Sequence, residues 1–332
     1  MSYLLSLCIP TNGVSEWIFP VLESIYAQGI DEKLFEVVVC DNGHNADFQQ
    51  RMADYCQKHE NLNYGHTDAP LFLSEPETYR MAKGKLIKFI NHRTKLRQGA
   101  LKYWIDYVVR YGNDTAPPIL YFSNGTLSLD SISHFNSFSD FVCALKIYGT
   151  WSTGMAIWKK DFDKIPSNER YNELFPHTTL LFRERERGHY IIDDTLLLDE
   201  IPSDQSKKGQ YDLFYAFAVE WMMILGDLLR SRDITYATFF ALKKETLKFC
   251  IGMAFDFMIL RKPCSYDTSS FWRSMKVFYS PCQILKEMLF YFPKKIIGKF
   301  MAQSFFLWDN PSPTHQRRLM SMSFKKKYSS SG

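Results

Sequence analysis

The feature that most constrains this chain is an alternation in its first half. Short apolar or β-branched runs, each closed by turn residues, alternate with amphipathic helical stretches. Residues 4–9 (LLSLCI) stop at Pro10, and residues 35–40 (FEVVVC) run into Asp41-Asn42-Gly43. Residues 62–66 (LNYGH), 86–90 (LIKFI) and 119–123 (ILYFS) repeat the pattern. Runs of this length between turn signals read as strands, and the apolar ones as buried strands. Residues 15–28 place Trp17, Val21, Leu22 and Ile25 on one helical face, and residues 46–59 do the same with Phe48, Met52 and Tyr55. Residues 75–82 and 99–111 are two further helices. Strands joined through helices need right-handed crossovers, so the expected fold class is α/β with a mostly parallel central sheet covered on both faces.

From residue 150 the pattern loosens. Residues 152–158 read as a strand, 176–185 as a helix, and 189–192 as a strand running into Asp193-Asp194. Residues 209–231 and 235–262 are helical. The expected division is a domain over 1–205, with halves 1–110 and 111–205, followed by a helical region over 206–332. The 332 residues suffice for a catalytic domain with such an extension. Hydrophobic content of 46% against 23% charged residues implies a packed core. A net charge of +4 gives no ground for a nucleic-acid partner. The seven cysteines form no Cys-x-x-Cys pair, and Cys8 and Cys40 sit inside apolar runs, which fits a reducing, cytoplasmic setting. The opening MSYLLSLCIPTNG lacks a basic leader and reads as a strand rather than a signal peptide. The most apolar stretch, 213–225, contains Glu220 and reads as a buried helix.

Three motifs stand at strand ends in order: Ile9-Pro10-Thr11-Asn12, then Cys40-Asp41-Asn42-Gly43, then KGKLIKFINHR ending at Arg93. Together they resemble the nucleotide-binding half of the glycosyltransferase family 2 enzymes, which have the GT-A fold. That family shows a Pro-Thr-Tyr-Asn-like turn, an Asp-Asn-Gly/Ser turn, and Gly-Glu-x-Ile-x-Phe-Leu-Asp-x-Asp. The resemblance covers residues 3–110 well and 150–200 more loosely. It implies nucleotide-sugar contacts from Pro10, Thr11, Asn12, Asp41, Asn42, Asn91 and His92. Thr11 would lie beside the ribose or base, and Asp41 would accept from a base N–H. Taken singly, Thr11 and Asp41 equally suit turns that bond their own backbone.

The third motif departs from the family pattern, because Asn91 and Arg93 replace its two metal-side aspartates. A hard cation has poor ligands there. Arg93, aided by His92, can instead present positive charge to a diphosphate. The expectation is therefore a transferase without a metal cofactor, with Mn2+ or Mg2+ as the alternative. An inactive site is the rival outcome. Inverting transfer needs a base for the acceptor hydroxyl. The resemblance puts His177 at that position, a shifted register puts Glu173 there, and Asp193 and Asp194 are a third option. The alternating run from Arg183 to Arg187 reads as a solvated helix end. Segment 281–327 mixes lysines with bulky aromatics, which suits peripheral contact with an anionic membrane, packing on the catalytic domain, or homo-oligomerisation.

The resemblance thus implies a glycosyltransferase acting on a nucleotide-sugar donor and a glycan or lipid-linked glycan acceptor. The implied setting is bacterial surface polysaccharide synthesis at the inner face of the cell membrane. A partner subunit that keeps the fold without turnover is the alternative. A nucleotidyltransferase would need a Gly-rich phosphate loop after the first strand, and none is present.

Overall fold

The computed structural model describes residues 3–129, 132–202 and 210–292. Strand β1 (Leu5–Thr11), helix α1 (Ser15–Tyr26), β2 (Phe35–Asp41), α2 (Ala46–Cys56) and β3 (Leu62–His66) open the chain. Helix α3 (Ser74–Met81), β4 (Leu86–Phe89), β5 (Thr94–Leu96), α4 (Ala100–Tyr111) and β6 (Ile119–Phe122) follow. Then come β7 (Ser133–Phe135), α5 (Phe138–Leu145), β8 (Ala156–Trp158), α6 (Lys159–Phe162), α7 (Pro176–Leu181), β9 (Tyr190–Asp193) and β10 (Leu198–Glu200). Helices α8 (Leu213–Tyr215), α9 (Trp221–Arg230), α10 (Tyr236–Ala254) and α11 (Phe271–Phe278) complete the labelled elements, and residues 281–292 are also helical.

The central sheet has the order β3-β2-β1-β4-β8. Its first four strands are parallel, and β8 is antiparallel to β4. The period of two along each strand sorts the core into two layers. Leu5, Leu7 and Ile9 of β1 with Val37 and Val39 of β2 face one way, against Ile18 and Leu22 of α1 and Leu101 and Trp104 of α4. Cys8, Val38 and Ile87 face the other way, against Tyr79 of α3, Phe141 of α5, and Trp221 and Met222 of α9. Burial on both faces explains why residues 37–40 of β2 (VVVC) form an unbroken apolar run. It also shows that α9 packs in the same core as the sheet. A smaller sheet, β6-β9-β7, pairs β6 with β9 in parallel, and β5 with β10 forms an antiparallel ribbon.

Gly84 of the third motif fixes the entry to β4. Its N–H donates to Ser6 Oγ at 2.8 Å, and a Cβ there would lie 2.7 Å from the backbone of Leu5 and Ser6. Buried Glu36 accepts from Ser6 Oγ at 2.6 Å and from Gly84 N at 3.1 Å, tying β1, β2 and this loop together.

Three expectations need correction. Residues 152–158 are not one strand: a 3₁₀ turn over Ser152–Gly154 precedes β8. Helix α7 ends at Leu181, not at 185. The charged run beyond it lies outside the helix, with Arg183, Arg185 and Glu186 exposed as expected but Arg187 drawn inward. Arg187 pairs with Asp161 at 2.7 Å, both side chains are buried, and Arg185 pairs with Asp233. These partners lie on distant elements, so the chain leaves the helix to reach them. No helix among the described residues is long and apolar enough to cross a membrane.

Candidate active site

Parallel strands deliver their carboxyl ends to one edge of the sheet, where the following loops gather. Here β1, β2 and β4 bring Pro10, Thr11, Asn12, Asn42, Asn91, His92 and Arg93 around one cavity of about 250 Å3. Thr11 Oγ1 accepts from Gly13 N at 3.3 Å and shares a hydrogen bond with His92 Nδ1 at 3.0 Å. Burial, reinforced by neighbouring Arg93, pushes the His92 imidazole down to about 3. That shift favours the neutral ring, against the cationic role expected of it. Trp17 holds it edge-on, with ring centroids 5.0 Å apart.

Asn91 builds the turn that aims Arg93. Its Oδ1 accepts from Arg93 N at 3.0 Å and Arg93 Nε at 3.4 Å, and its carbonyl accepts from Thr94 N at 2.9 Å. The Arg93 guanidinium lies 5.3 Å from the Trp17 ring centroid. Burial lowers its pKa, while Tyr266 and Glu200 oppose the shift. Its terminal nitrogens carry no hydrogen bond among the described residues, so a fork of donors faces the cavity.

Asp41 does not take the place expected for it. The residue is fully buried, and its carboxylate accepts from Gly43 N at 2.7 Å and from Tyr64 OH at 3.2 Å. Burial raises its pKa, partly offset by those two donors. It closes its own turn and is absent from the cavity lining. Its neighbour Asn42 reaches the cavity instead, with Nδ2 donating to Ala69 O at 3.2 Å.

A second cavity of about 320 Å3 adjoins the first across Phe72, Asn91, Arg93 and Ser152. Aromatic side chains dominate its walls: Tyr148, Trp151 and Phe175 from one stretch of the chain, Tyr211, Phe217 and Tyr266 from the C-terminal region. The sequence signals the aromatic excess but not its assembly, since these residues come from separate segments. His177 lines this cavity and is 5% exposed. Its Nε2 lies 2.8 Å from Thr150 O, and its Nδ1 is turned to Glu75. Glu173, the other expected base, is exposed and lines neither cavity. Asn172 causes this, because its Oδ1 accepts from Leu174 N and Phe175 N at 3.0 and 2.9 Å and turns residue 173 outward.

Asp193 and Asp194 are structural. Tyr103 and Tyr107 hydroxyls donate to Asp193 Oδ2 at 2.7 and 2.6 Å, and Ser123 Oγ and Leu129 N donate to Asp194. Nothing in the sequence pattern sets Lys88 apart from the strand around it. It is fully buried in β4, and its Nζ donates to Phe89 O, Thr153 O and Met155 O at 2.9, 2.6 and 3.3 Å. It thereby holds the 3₁₀ turn that walls both cavities. Burial pushes its ammonium down to about 7, against the pull of Glu75.

These side chains do not fit a divalent cation. The Asn91 oxygen is occupied by Arg93, His92 Nδ1 faces Thr11, and Arg93 is itself cationic. No group of three or more His, Cys, Asp or Glu among the described residues is placed to hold a metal ion.

No model of a known protein family matches the chain, and no curated protein matches it. Solved structures do. S. aureus TarS 1–349 in complex with UDP-GlcNAc is 14% identical, covering 82% of this chain and 79% of its own, at a TM-score of 0.55. The same protein in complex with UDP is 16% identical, covering 78% and 75%, at 0.52. A mannosyltransferase from Pyrobaculum calidifontis, in complex with GDP-Man and Mn2+, is 12% identical over 88% of each chain, at 0.47. Likeness at this identity speaks to fold alone, and the fold is the one expected: a GT-A-like α/β fold with a mostly parallel central sheet.

Proposed function

We propose that the protein is a glycosyltransferase that moves a sugar from a nucleotide-sugar to a hydroxyl of a glycan. The observation that carries this reading is the place of Arg93. Its guanidinium, whose terminal nitrogens have no hydrogen-bond partner among the described residues, stands where two cavities meet, at the carboxyl ends of β1, β2 and β4. The fold around it is shared with a protein solved in complex with UDP-GlcNAc.

In this reading Thr11, Asn12 and Asn42 receive the nucleotide in the smaller cavity. Arg93 faces the diphosphate and stabilises its charge as the sugar departs. The aromatic cavity receives the acceptor, whose hydroxyl attacks the anomeric carbon from the side opposite the diphosphate, which inverts the anomeric centre. The donor set around Asn91 supports a reaction that needs no divalent ion. Of the two bases the sequence suggests, His177 lies on the wall of the aromatic cavity and Glu173 does not. The setting we propose is bacterial surface polysaccharide synthesis at the inner membrane face. Exposed Leu285, Leu289 and Phe290 on helix 281–292 support peripheral contact, and the same apolar face would serve a homo-oligomer. The rest of segment 281–327 lies outside the described residues.

The test is calorimetric binding of UDP, UDP-GlcNAc and GDP-mannose, then hydrolysis of each sugar donor, with EDTA and with added Mn2+. Binding and turnover in EDTA support the reading, and turnover that requires Mn2+ defeats its metal-free form. One observation favours a second reading. Both ring nitrogens of His177 are directed at protein groups and Glu173 faces solvent, as in a partner subunit that binds donor without turnover. Tight binding with no hydrolysis or transfer would select it.

A further inference from the structure

Beside the two cavities lies a buried ionisable pair that the nucleotide contacts do not use. Glu75, in the first turn of α3, is 2% exposed. Its Oε1 accepts from Tyr79 OH at 2.7 Å, and its Oε2 lies 3.3 Å from His177 Nδ1. Among the described residues no lysine or arginine forms an ion pair with it. Lys88 is near enough to feel its charge, but the Lys88 donors are directed to three carbonyls. A carboxylate is seldom buried without a neutralising partner unless a task requires it.

A carbonyl oxygen only accepts, so His177 Nε2, 2.8 Å from Thr150 O, carries a proton. Nδ1, on the other side of the ring, lies 3.3 Å from Glu75 Oε2 and has no hydrogen-bond partner among the described residues. A buried carboxylate thus stands beside a buried ring nitrogen that no other group engages. Glu75 is the one carboxylate lining the smaller cavity, which adjoins the larger, acceptor cavity across Phe72, Asn91, Arg93 and Ser152, and His177 lines the larger one.

We propose, on the glycosyltransferase reading above, that Glu75 is the catalytic base and His177 its positioning residue. The acceptor O–H bond breaks, its proton passes to Glu75 Oε2, and its electron pair forms the bond to the anomeric carbon. The bond from that carbon to the diphosphate oxygen breaks, and its electron pair leaves on the diphosphate, which Arg93 faces. The proton then rests on Oε2, 3.3 Å from His177 Nδ1. The groups around the pair are Tyr79 on α3, Lys88 on β4, Cys8 on β1 and the Thr150 carbonyl.

The test is Glu75→Gln, whose amide can donate to Nδ1 and preserve the packing but cannot accept the proton. Transfer should fall by about 10²- to 10⁴-fold, the loss expected for a general base. UDP affinity should hold within about threefold, and the acid limb of the kcat/KM profile should disappear. Transfer that stays within about tenfold of wild type overturns the assignment. An independent readout is the 15N spectrum of labelled histidine. His177 should carry its neutral-form proton on Nε2, and protonation of Nδ1 should shift in Glu75→Gln. A neutral form with the proton on Nδ1 in an active wild type overturns the role of Glu75 alone. A wild type inert toward every donor and acceptor, with the expected His177 spectrum, overturns the transferase reading while the proton-accepting pair stands.

Discussion

Lys88→Met would separate the electrostatics of a buried charge from its packing. In the unfolded chain the amine titrates near ~10.4. In the folded protein burial brings it to about 7. Between these values the unfolded chain holds a proton that the folded protein has released, so stability rises with pH across the window. Below it both states are protonated and the full cost of burial is present, on the order of 5 kcal/mol for a shift of this size. Methionine has nearly the same length and carries no charge, so it removes that cost. It also leaves Phe89 O and Thr153 O without their donor, at about 1–3 kcal/mol each, while Met155 O keeps the N–H of Phe89 at 3.2 Å. The two effects nearly cancel near neutrality, but only the first depends on pH. The assay is urea unfolding of both proteins by tryptophan fluorescence, from about pH 6 to about pH 10. Relative to Lys88→Met, the wild type should gain stability by up to about 1.4 kcal/mol per pH unit between about pH 7 and about pH 10. Nearby cysteines and tyrosines titrate in both proteins and drop out of the difference. Parallel pH curves would show that the three carbonyls keep Lys88 charged throughout and would refute the burial argument.

Arg93→Ala should weaken UDP-sugar binding by about 10- to 100-fold in calorimetry and leave uridine binding nearly unchanged, as expected for a lost charge-assisted phosphate contact. Equal losses for both ligands would remove Arg93 from the diphosphate. Arg93→Lys, which keeps the charge without the fork, should recover only part of the affinity. Gly154→Ala would place a Cβ 2.1 Å from a ring carbon of buried Tyr121, so thermal unfolding should report a loss of about 1–3 kcal/mol or more. An unchanged midpoint would mean that the ring can move aside. Asp41→Ala strands the Gly43 N–H and the Tyr64 hydroxyl and should cost about 2–4 kcal/mol of stability, while UDP affinity changes little. A selective loss of UDP affinity would restore Asp41 as a nucleotide contact.

The sheet and the placement of the first cavity were legible in the chain because both rest on local signals. β1, β2 and β4 announce themselves by apolar runs closed with turn residues. The turns at Thr11, Asn42 and Asn91 must fall at the carboxyl ends of parallel strands. That Asp41 turns inward while Asn42 faces the cavity is a matter of one carboxylate meeting Gly43 and Tyr64, and periodicity carries no trace of it. Glu173 and His177 looked interchangeable as bases until the Asn172 turn sent one to solvent and α7 buried the other. The tertiary structure alone decided that Glu75 of α3 meets His177 of α7, that Lys88 gathers three carbonyls, and that Tyr148, Tyr211 and Tyr266 line one cavity. Secondary structure follows from neighbours in the chain, through spacing and turn chemistry. The chemistry of a site follows from which groups lose water together, and that depends on packing between segments the sequence keeps apart.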